Sequence, residues 1–313
     1  SELFNIEPKD DTELKLLRFI GNKVVNEPSD KKHDLDVPVI PQVEVPENLR
    51  GAKQILDEEG PEGVMEWVLD NKGLLMTDTT LRDAHQSLMA TRMRTRDMLR
   101  IAEATSVLAQ NLFSLEMWGG ATFDVAYRFL HESPWDRLTA LRERIPNILF
   151  QMLIRGANAV GYKNYPDNII RKFVKHAGEN GIDVFRIFDS LNWMKGIEVA
   201  LDAVLEENKI AEACICYTGD ILDTRRDKYS LQYYVNMAKE IEKMGAHILG
   251  IKDMAALLKP YAASKLITAL KNEISIPIHL HTHDSTGNEL LLRFHDVTSG
   301  GVRVGGTDVR DQT

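Results

Sequence analysis

The sequence predicts an α/β fold, a (β/α)8 TIM barrel preceded by an N-terminal linker and helical extension. Apolar, strand-like runs alternate with segments of helical period over most of the 313 residues, and repeated βα units of this kind form a parallel sheet. No glycine-rich turn follows the first run, which argues against a doubly wound nucleotide-binding sheet. We therefore expect residues 1–70 to form the extension and residues 71–313 to form the barrel.

The extension differs from the rest of the chain because it lacks the alternating pattern. A helix is predicted at residues 11–20, and residues 27–47 contain four prolines and many charges, which is typical of a linker. Two short helices are predicted next, at residues 50–59 and 60–71, and they lead into the barrel.

The barrel is predicted from seven strands and a weaker eighth. The strands are expected at residues 73–79, 112–118, 147–154, 183–189, 212–217, 247–252, 276–282 and, more weakly, 302–304. Helices are expected between them at residues 95–109, 167–179, 194–206, 230–244 and 259–272. Because chemistry in this fold lies at the C-terminal ends of the strands, the polar residues that follow each run are the candidates for function.

The composition excludes several classes of function. A net charge of -9 and a pI near 5.5 argue against a nucleic-acid partner, which needs clustered Lys and Arg in excess. No apolar stretch is long enough to span a membrane. The two cysteines, Cys214 and Cys216, lie in one strand-like run and do not form a disulfide framework. Since the N-terminus also lacks the features of a signal peptide, we expect an intracellular protein.

A metal site is indicated by the segment PIHLHTHD at the seventh strand. His279, His281 and His283 share one side of an extended chain, and the last two lie nearest its C-terminal end. Two neighbouring imidazoles on a rigid strand suit zinc, manganese or a related divalent ion. The end of the first strand, TDTTLRDAHQ at residues 77–86, offers carboxylates that complete the coordination.

Three cationic residues follow other strands and have two interpretations each. Lys252, at the end of the sixth strand, either binds an anionic substrate or is carbamylated and becomes an anionic metal ligand, because a bare ammonium is repelled by a metal ion. Arg82 and Arg155 form a pocket for a carboxylate, or they pair as structural salt bridges with acidic residues. The acidic residues in question are Asp78, Glu116 and Asp189.

A family resemblance is carried by six motifs in a fixed order. They are TDTTLRDAHQSLMATRMRT, EMWGGATFD, LIRGANAVGY, RIFDSLN, GIKDMAALLKP and IHLHTHD. Together they resemble the carboxyltransferase domain shared by pyruvate carboxylase, the oxaloacetate decarboxylase alpha subunit and the biotin-dependent transcarboxylase subunit. The upstream segments KLLRFIGNKVVN and GAKQILDEEGPEGVMEWV favour the pyruvate carboxylase type. One departure is Ala256, which stands where that motif has a glycine.

The resemblance implies roles for particular residues. It implies a divalent metal, manganese or zinc, held by Asp83, His281, His283 and a carbamylated Lys252. The remaining implied residues act on substrates: Arg82, Gln86 and Arg155 bind pyruvate, and Asp124 and Tyr162 shape the pocket beside the incoming biotin.

The resemblance also implies the reaction and its partners. A carboxyl group would pass from carboxybiotin to pyruvate, giving oxaloacetate through a metal-stabilised enolate. The biotin would be carried by another domain, and a biotin carboxylase domain would charge it within a homo-oligomeric parent enzyme. The expected compartment is the cytoplasm of a bacterium or the mitochondrial matrix of a eukaryote.

We expect this chain to be a fragment, because the family wording stops after Asn288 and the helical region with the family's catalytic threonine is not recognisable. The alternatives are an oxaloacetate decarboxylase-type subunit and a non-catalytic scaffold built on a truncated barrel. A related metal-dependent lyase or synthase barrel shares the H-x-H pair, but the motifs AHQS and IKD argue against it.

Overall fold

The computed structural model describes residues 39–225 and 228–283, together with two short backbone segments at residues 303–304 and 307–308. The helix expected at residues 11–20, most of the linker and the chain between residues 284 and 302 lie outside the described residues.

Seven parallel strands form one sheet in the order of the sequence. They are β1 (Thr77–Asp78), β2 (Ser114–Trp118), β3 (Leu149–Ile154), β4 (Val184–Ile187), β5 (Ile210–Cys216), β6 (Ile248–Asp253) and β7 (Ile278–Thr282). The sheet is curled, as shown by the distance of 3.5 Å between the Thr77 Oγ1 atom on β1 and His279 Nε2 on β7. An all-parallel sheet in sequential order that returns towards its first strand is the arrangement of a TIM barrel, which confirms the predicted fold class.

Two strands differ from their predictions. The first was expected from residue 73, but only Thr77 and Asp78 pair with β2, since the preceding Leu74 and Met76 are exposed. The eighth was expected to continue the barrel. A strand forms within the predicted range, β8 (Arg303–Val304), but it pairs antiparallel with β9 (Thr307–Asp308). The expectation that it continues the barrel is therefore wrong for these residues, since strands so close in sequence can pair antiparallel, whereas a parallel pair needs a long crossover.

Helices connect the strands as the sequence period predicts. The helices are α1 (Ala52–Asp70), α2 (His85–Met89), α3 (Thr95–Leu108), α4 (Gly120–Val125), α5 (Pro134–Arg144), α6 (Asp167–Glu179), α7 (Met194–Glu206), α8 (Leu231–Lys243) and α9 (Pro260–Glu273). Helix α5 was not predicted, although its start carries a clear signal. Ser133 accepts a hydrogen bond from the Asp136 amide at 3.2 Å, and proline occupies the first helical position.

Helix α1 covers the N-terminal ends of the strands. It bends at Gly60, where φ is 75° and ψ is -173°, which explains why the sequence predicts two short helices here. Its buried side chains form a cluster with one residue at or near the start of each of five strands. Those barrel residues are Phe113, Leu149, Val184, Ile210 and Ile248. The apolar bottom of the barrel is therefore closed by α1.

A buried ion pair fastens this end of the barrel. Asp183, fully buried just before β4, accepts hydrogen bonds from Arg142 at 2.5 Å and from the Phe150 amide at 2.8 Å. The ammonium of Lys53 on α1 lies 3.6 Å from the other Asp183 oxygen. One carboxylate thus links α1, α5 and the start of the sheet, because buried charge is tolerated only when it is paired.

The interior of the barrel contains a polar layer. Thr77, Ser114 and Gln151 form a chain of hydrogen bonds across β1, β2 and β3 at 2.8 and 3.2 Å. On the opposite side, Arg186 of β4 donates to Glu212 of β5 at 2.7 Å. Gly250 of β6 makes room for this pair, since a Cβ there would lie 2.8 Å from a Glu212 carboxylate oxygen. Among the described helices, none combines the length and apolarity needed to cross a membrane.

Candidate metal and carboxylate-binding site

The turn after β1 presents a set of polar side chains at the mouth of the barrel. Asp78 accepts hydrogen bonds from the Thr80 amide at 2.9 Å and the Thr80 hydroxyl at 3.0 Å. This contact starts one widened helical turn at Thr80–Ala84, which continues directly into α2. The turn carries Arg82 and Asp83, and Gln86 follows on the first turn of α2.

Three residues with ligand atoms for a metal ion converge at this mouth. One oxygen or ring-nitrogen atom from each of Asp83, His281 and His283 lies within 4.8 Å of the others. The Asp83 Oδ2 atom is 3.9 Å from His281 Nε2 and 3.6 Å from His283 Nε2. His281 Nε2 is buried and has no hydrogen-bond partner, which is costly unless another group binds it.

The charge state of the buried histidine suits a ligand. Burial, together with the cationic neighbours Lys252 and Arg186, lowers the pKa of His281 well below its usual value. The imidazole is therefore neutral at physiological pH, which is the form that binds a metal ion. The donor set of one carboxylate and two imidazoles fits zinc or manganese.

Lys252 lies beside this cluster. It is paired in the parallel register with His281 on the neighbouring strand, and only 4% of its surface is exposed. Burial lowers its pKa, and the charges of Arg186 and Arg82 act in the same direction. Among the described residues it has no salt bridge to a carboxylate, and its ammonium lies 5.2 Å from the Phe188 ring.

Arg82 is held by carboxylates. Its guanidinium donates to Glu116 at 2.5 Å and to Asp83 at 2.7 Å, and it lies 3.4 Å from the Gln86 amide oxygen. The salt-bridge interpretation from the sequence therefore describes Arg82 in part, with Glu116 as the partner. The contact with Asp83 also orients the acidic member of the metal cluster.

Arg155 is placed differently. In the described part of the chain its side chain pairs with no carboxylate, and the one hydrogen bond of that side chain goes to the Gly161 carbonyl at 3.4 Å. Its guanidinium packs against Gly120, while that of Arg82 packs against Gly119. Two consecutive glycines directly after β2 thus leave room for the two guanidinium groups, and no carboxylate in the described part of the chain neutralises Arg155.

The two residues expected near biotin lie beyond Arg155. The Tyr162 ring lies 5.4 Å from the Arg155 guanidinium carbon and is largely exposed. Asp124 forms an ion pair with Arg128 at 2.9 Å and lines a cleft of about 440 Å³. The remaining lining residues are Phe123, Tyr127, Arg128, Val160, Gly161 and Tyr165. The structure therefore places Asp124 at a cleft on the Arg155 side of the mouth.

Sequence reasoning missed the charged residues inside the barrel. Arg186 and Glu212 are fully buried below the metal cluster, and Glu116 was considered only as a salt-bridge partner. Each lies within an otherwise apolar strand run, namely VFRI, IAEACIC and SLEMW. A charged residue inside such a run is the signal that identifies them, because a charge is rarely buried without a partner.

Comparison with known proteins connects this arrangement to one family. The chain is 58% identical to the pyruvate carboxylase of Bacillus subtilis over 304 residues, which is 96% of this chain. It is 50% identical to the human mitochondrial pyruvate carboxylase over 292 residues, or 91% of this chain. A solved carboxyl transferase domain from Rhizobium etli pyruvate carboxylase, with pyruvate and biocytin, superposes with a TM-score of 0.79 at 56% identity over 82% of this chain.

The chain is a relative of the carboxyltransferase domain of pyruvate carboxylase. It spans about a quarter of the full-length pyruvate carboxylases, 26% of the Bacillus protein and 25% of the human protein. It covers 43% of the solved Rhizobium domain. No family model matches the chain. The identities to the Bacillus and human proteins confirm, over most of the chain, the resemblance to pyruvate carboxylase that the motifs carry.

Proposed function

We propose that this chain provides the site at which a carboxyl group passes from carboxybiotin to pyruvate, giving oxaloacetate. The observation that carries the proposal is the position of Arg155, a guanidinium without a carboxylate partner in the described residues, which packs against Gly120 while Arg82 packs against the adjacent Gly119. An unpaired guanidinium at a barrel mouth is a strong site for a small carboxylate. Pyruvate bound to the Rhizobium domain supports this choice of substrate.

Arg155 and Gln86 are proposed to bind the substrate directly. The planar guanidinium of Arg155 suits two parallel hydrogen bonds to the pyruvate carboxylate. The Gln86 amide, beside Arg82, supplies a neutral donor for the oxo group. Arg82 is already neutralised by Glu116. We propose that it contributes only a remaining N–H donor to the substrate and that it orients Asp83.

The chemistry requires a proton to leave the methyl carbon of pyruvate. That carbon loses a proton and gains carbon dioxide, while the biotin nitrogen loses carbon dioxide and gains a proton, so the exchange is balanced. Negative charge develops on the oxo oxygen as the proton leaves. Cationic groups fixed in advance around that oxygen lower the barrier, because they need no reorganisation when the charge appears.

Asp83, His281 and His283 are proposed to hold a divalent metal ion, manganese or zinc. The buried, unpartnered Nε2 atom of His281 supports a ligand at this position. When bound, the ion supplies positive charge that stabilises the developing oxyanion. We propose that Lys252 is carbamylated and completes the site as an anion, because its lowered pKa increases the fraction of neutral amine, the form that reacts with carbon dioxide.

The remaining participants are proposed from the relatives. The biotin would arrive on a carrier domain at the cleft beside Asp124 and Tyr162, after carboxylation by a biotin carboxylase domain of a homo-oligomeric parent enzyme. The relatives include bacterial and mitochondrial proteins, which supports the bacterial cytoplasm or the mitochondrial matrix as the compartment.

The proposal is tested by the binding of pyruvate to the purified chain in the presence of Mn²⁺, measured by calorimetry. Arg155→Gln should weaken binding at least tenfold, because it removes the charge and the two-donor fork. Arg171→Gln is the matched control, since Arg171 is a partly exposed arginine that pairs with Glu206 on the outer surface. It should bind pyruvate as the unsubstituted chain does.

Catalysis is tested separately by the decarboxylation of oxaloacetate with free biotin. Turnover that depends on biotin and is lost in Arg155→Gln supports the carboxyltransferase function. Binding of pyruvate without turnover supports a substrate site that needs the rest of the parent enzyme. Absence of both would contradict the proposal and favour the scaffold interpretation.

A further inference from the structure

A neutral His281 has one ring-nitrogen lone pair, and both Arg186 and a metal ion would use it. The Arg186 Nη1 atom lies 3.1 Å from His281 Nδ1. A guanidinium has only donors, so Nδ1 accepts this hydrogen bond. A neutral imidazole has one acceptor nitrogen and one N–H, and the proton of His281 must then be on Nε2.

A metal ion requires the opposite tautomer. The Nε2 atom is the ring nitrogen nearest to Asp83 Oδ2, at 3.9 Å, and is therefore the atom that faces the proposed metal site. Ligation uses the lone pair of Nε2, which moves the ring proton to Nδ1. In most metal sites that second nitrogen donates to a carboxylate or carbonyl oxygen. Here it faces Arg186, and two N–H groups would oppose each other.

Arg186 is held in place from below. Its Nε donates to Glu212 at 2.7 Å, and its Nη2 lies 2.9 Å from His279 Nδ1, which itself lies 3.1 Å from a Glu212 carboxylate oxygen. Its side chain is almost completely buried, and the nearest alternative contact is loose, at 3.5 Å between Nη2 and the second Glu212 oxygen. The guanidinium can leave His281 only by closing this contact and pairing more tightly with Glu212.

We propose that Arg186 is a positioning residue that limits the metal affinity of the site by competing for the only lone pair of His281. The inference rests on the proposed metal site. Binding of the ion must break the Arg186–His281 hydrogen bond, and the guanidinium then moves towards Glu212. The barrel interior below the site, and not only the ligands, therefore sets how tightly the ion is held.

The double variant Arg186→Gln, Glu212→Gln tests this inference. It removes one positive and one negative buried charge together, so the net charge near the site is unchanged. The new amide oxygen at position 186 can accept a hydrogen bond from Nδ1–H and so favours the metal-binding tautomer. We expect the affinity for Co²⁺, titrated through its visible absorption, to increase about tenfold, a typical size for changes around metal ligands.

Two outcomes would contradict the inference in different ways. Equal or weaker Co²⁺ binding by a double variant with an unchanged circular dichroism spectrum would overturn the competition while leaving the metal site intact. Absence of Co²⁺ binding in the unsubstituted chain and in the variant would overturn the metal site itself, and the competition with it.

A second measurement does not depend on the folding of the variant. The ¹⁵N chemical shifts of His281, identified by their loss in His281→Gln, report the protonated nitrogen. We expect a proton on Nε2 in the chelator-treated chain and on Nδ1 after addition of Zn²⁺. A proton on Nδ1 before the metal is added would overturn the inference.

Discussion

Gly120 lies against the guanidinium of Arg155, so closely that a Cβ atom at position 120 would be 2.6 Å from Arg155 Nη2. A methyl group there must displace the arginine. We therefore predict that Gly120→Ala weakens pyruvate binding about tenfold, a change of about 1.4 kcal/mol. Calorimetry with Mn²⁺ present provides the measurement.

The control for this prediction is Gly73→Ala. Gly73 is exposed, and the nearest atom to an added Cβ is Asn71 Oδ1 at 3.4 Å, an ordinary contact distance. It should leave pyruvate binding unchanged. Unchanged binding in Gly120→Ala as well would show that the glycine does not position Arg155 for the substrate.

The metal cluster leads to a prediction about bound metal. Mass spectrometry should find about one divalent ion for each chain and almost none in the double variant His281→Ala, His283→Ala, because loss of both imidazole ligands removes the site. His176→Ala, a substitution of an exposed histidine on α6, should keep its ion. Equal metal content in all three proteins would place the ion elsewhere.

The sequence was sufficient to predict where the strands end, and this explains why Asp83, His281 and Lys252 could be named as candidates. His281 and Lys252 are each the second-last residue of a strand, and Asp83 lies on the turn after β1. A parallel barrel gathers those ends at one mouth. The alternation of apolar and polar residues that identifies a strand is a local property, so each segment can be recognised from its own sequence.

The pairing inside the barrel could not be predicted in the same way. Arg186 and His279 are separated by 93 residues in sequence and meet only because the sheet curls. Arg82 and Glu116 meet because β1 and β2 adopt one particular register. Such contacts depend on the closure of the whole sheet, which no single segment encodes.

Ala256, in the loop after β6, leads to a prediction about stability. Its φ is 53°, in the left-handed region, where a side chain costs about 1–2 kcal/mol relative to glycine. Replacement of Ala256 by glycine removes this cost, but part of the gain in stability is offset by the greater entropy of glycine in the unfolded chain, about 0.5–1 kcal/mol. We therefore predict that Ala256→Gly raises the free energy of unfolding by about 0.5 kcal/mol in urea titrations.

The comparison variant is Ala269→Gly, within α9. There the backbone is helical, so glycine should lower the free energy of unfolding by about 1 kcal/mol. A decrease of similar size in both variants would mean that the loop after β6 is not strained at Ala256.

Substitution of Asp183, the carboxylate that links α1 to the barrel, should change stability by a larger amount. Asp183→Asn keeps the shape of the side chain but leaves Arg142 without its buried partner, which typically costs about 3–5 kcal/mol. We expect a decrease of this size in the free energy of unfolding, measured by thermal or urea denaturation. Asp202→Asn, an exposed carboxylate on α7 with a 3.7 Å contact to Arg171, should change stability by less than about 1 kcal/mol.

The Arg186–Glu212 pair predicts how stability depends on pH. Burial alone would raise the pKa of Glu212, but the charge of Arg186 and the contact with His279 outweigh it and lower the pKa to about 2. The ordinary value is 4.5, so between these two values the unfolded chain binds a proton that the folded chain does not. Stability from this group is complete above about pH 4.5 and is lost as the pH falls towards 2.

The size of this contribution follows from the shift. A difference of about 2.5 pKa units corresponds to about 3 kcal/mol. The free energy of unfolding, measured by urea titration at successive pH values, should therefore fall more steeply over this window in the unsubstituted chain than in Arg186→Gln, Glu212→Gln, which has no carboxylate at this position. Parallel pH profiles for the two proteins would show that the interior pair does not hold Glu212 ionised, since every other carboxylate is common to both.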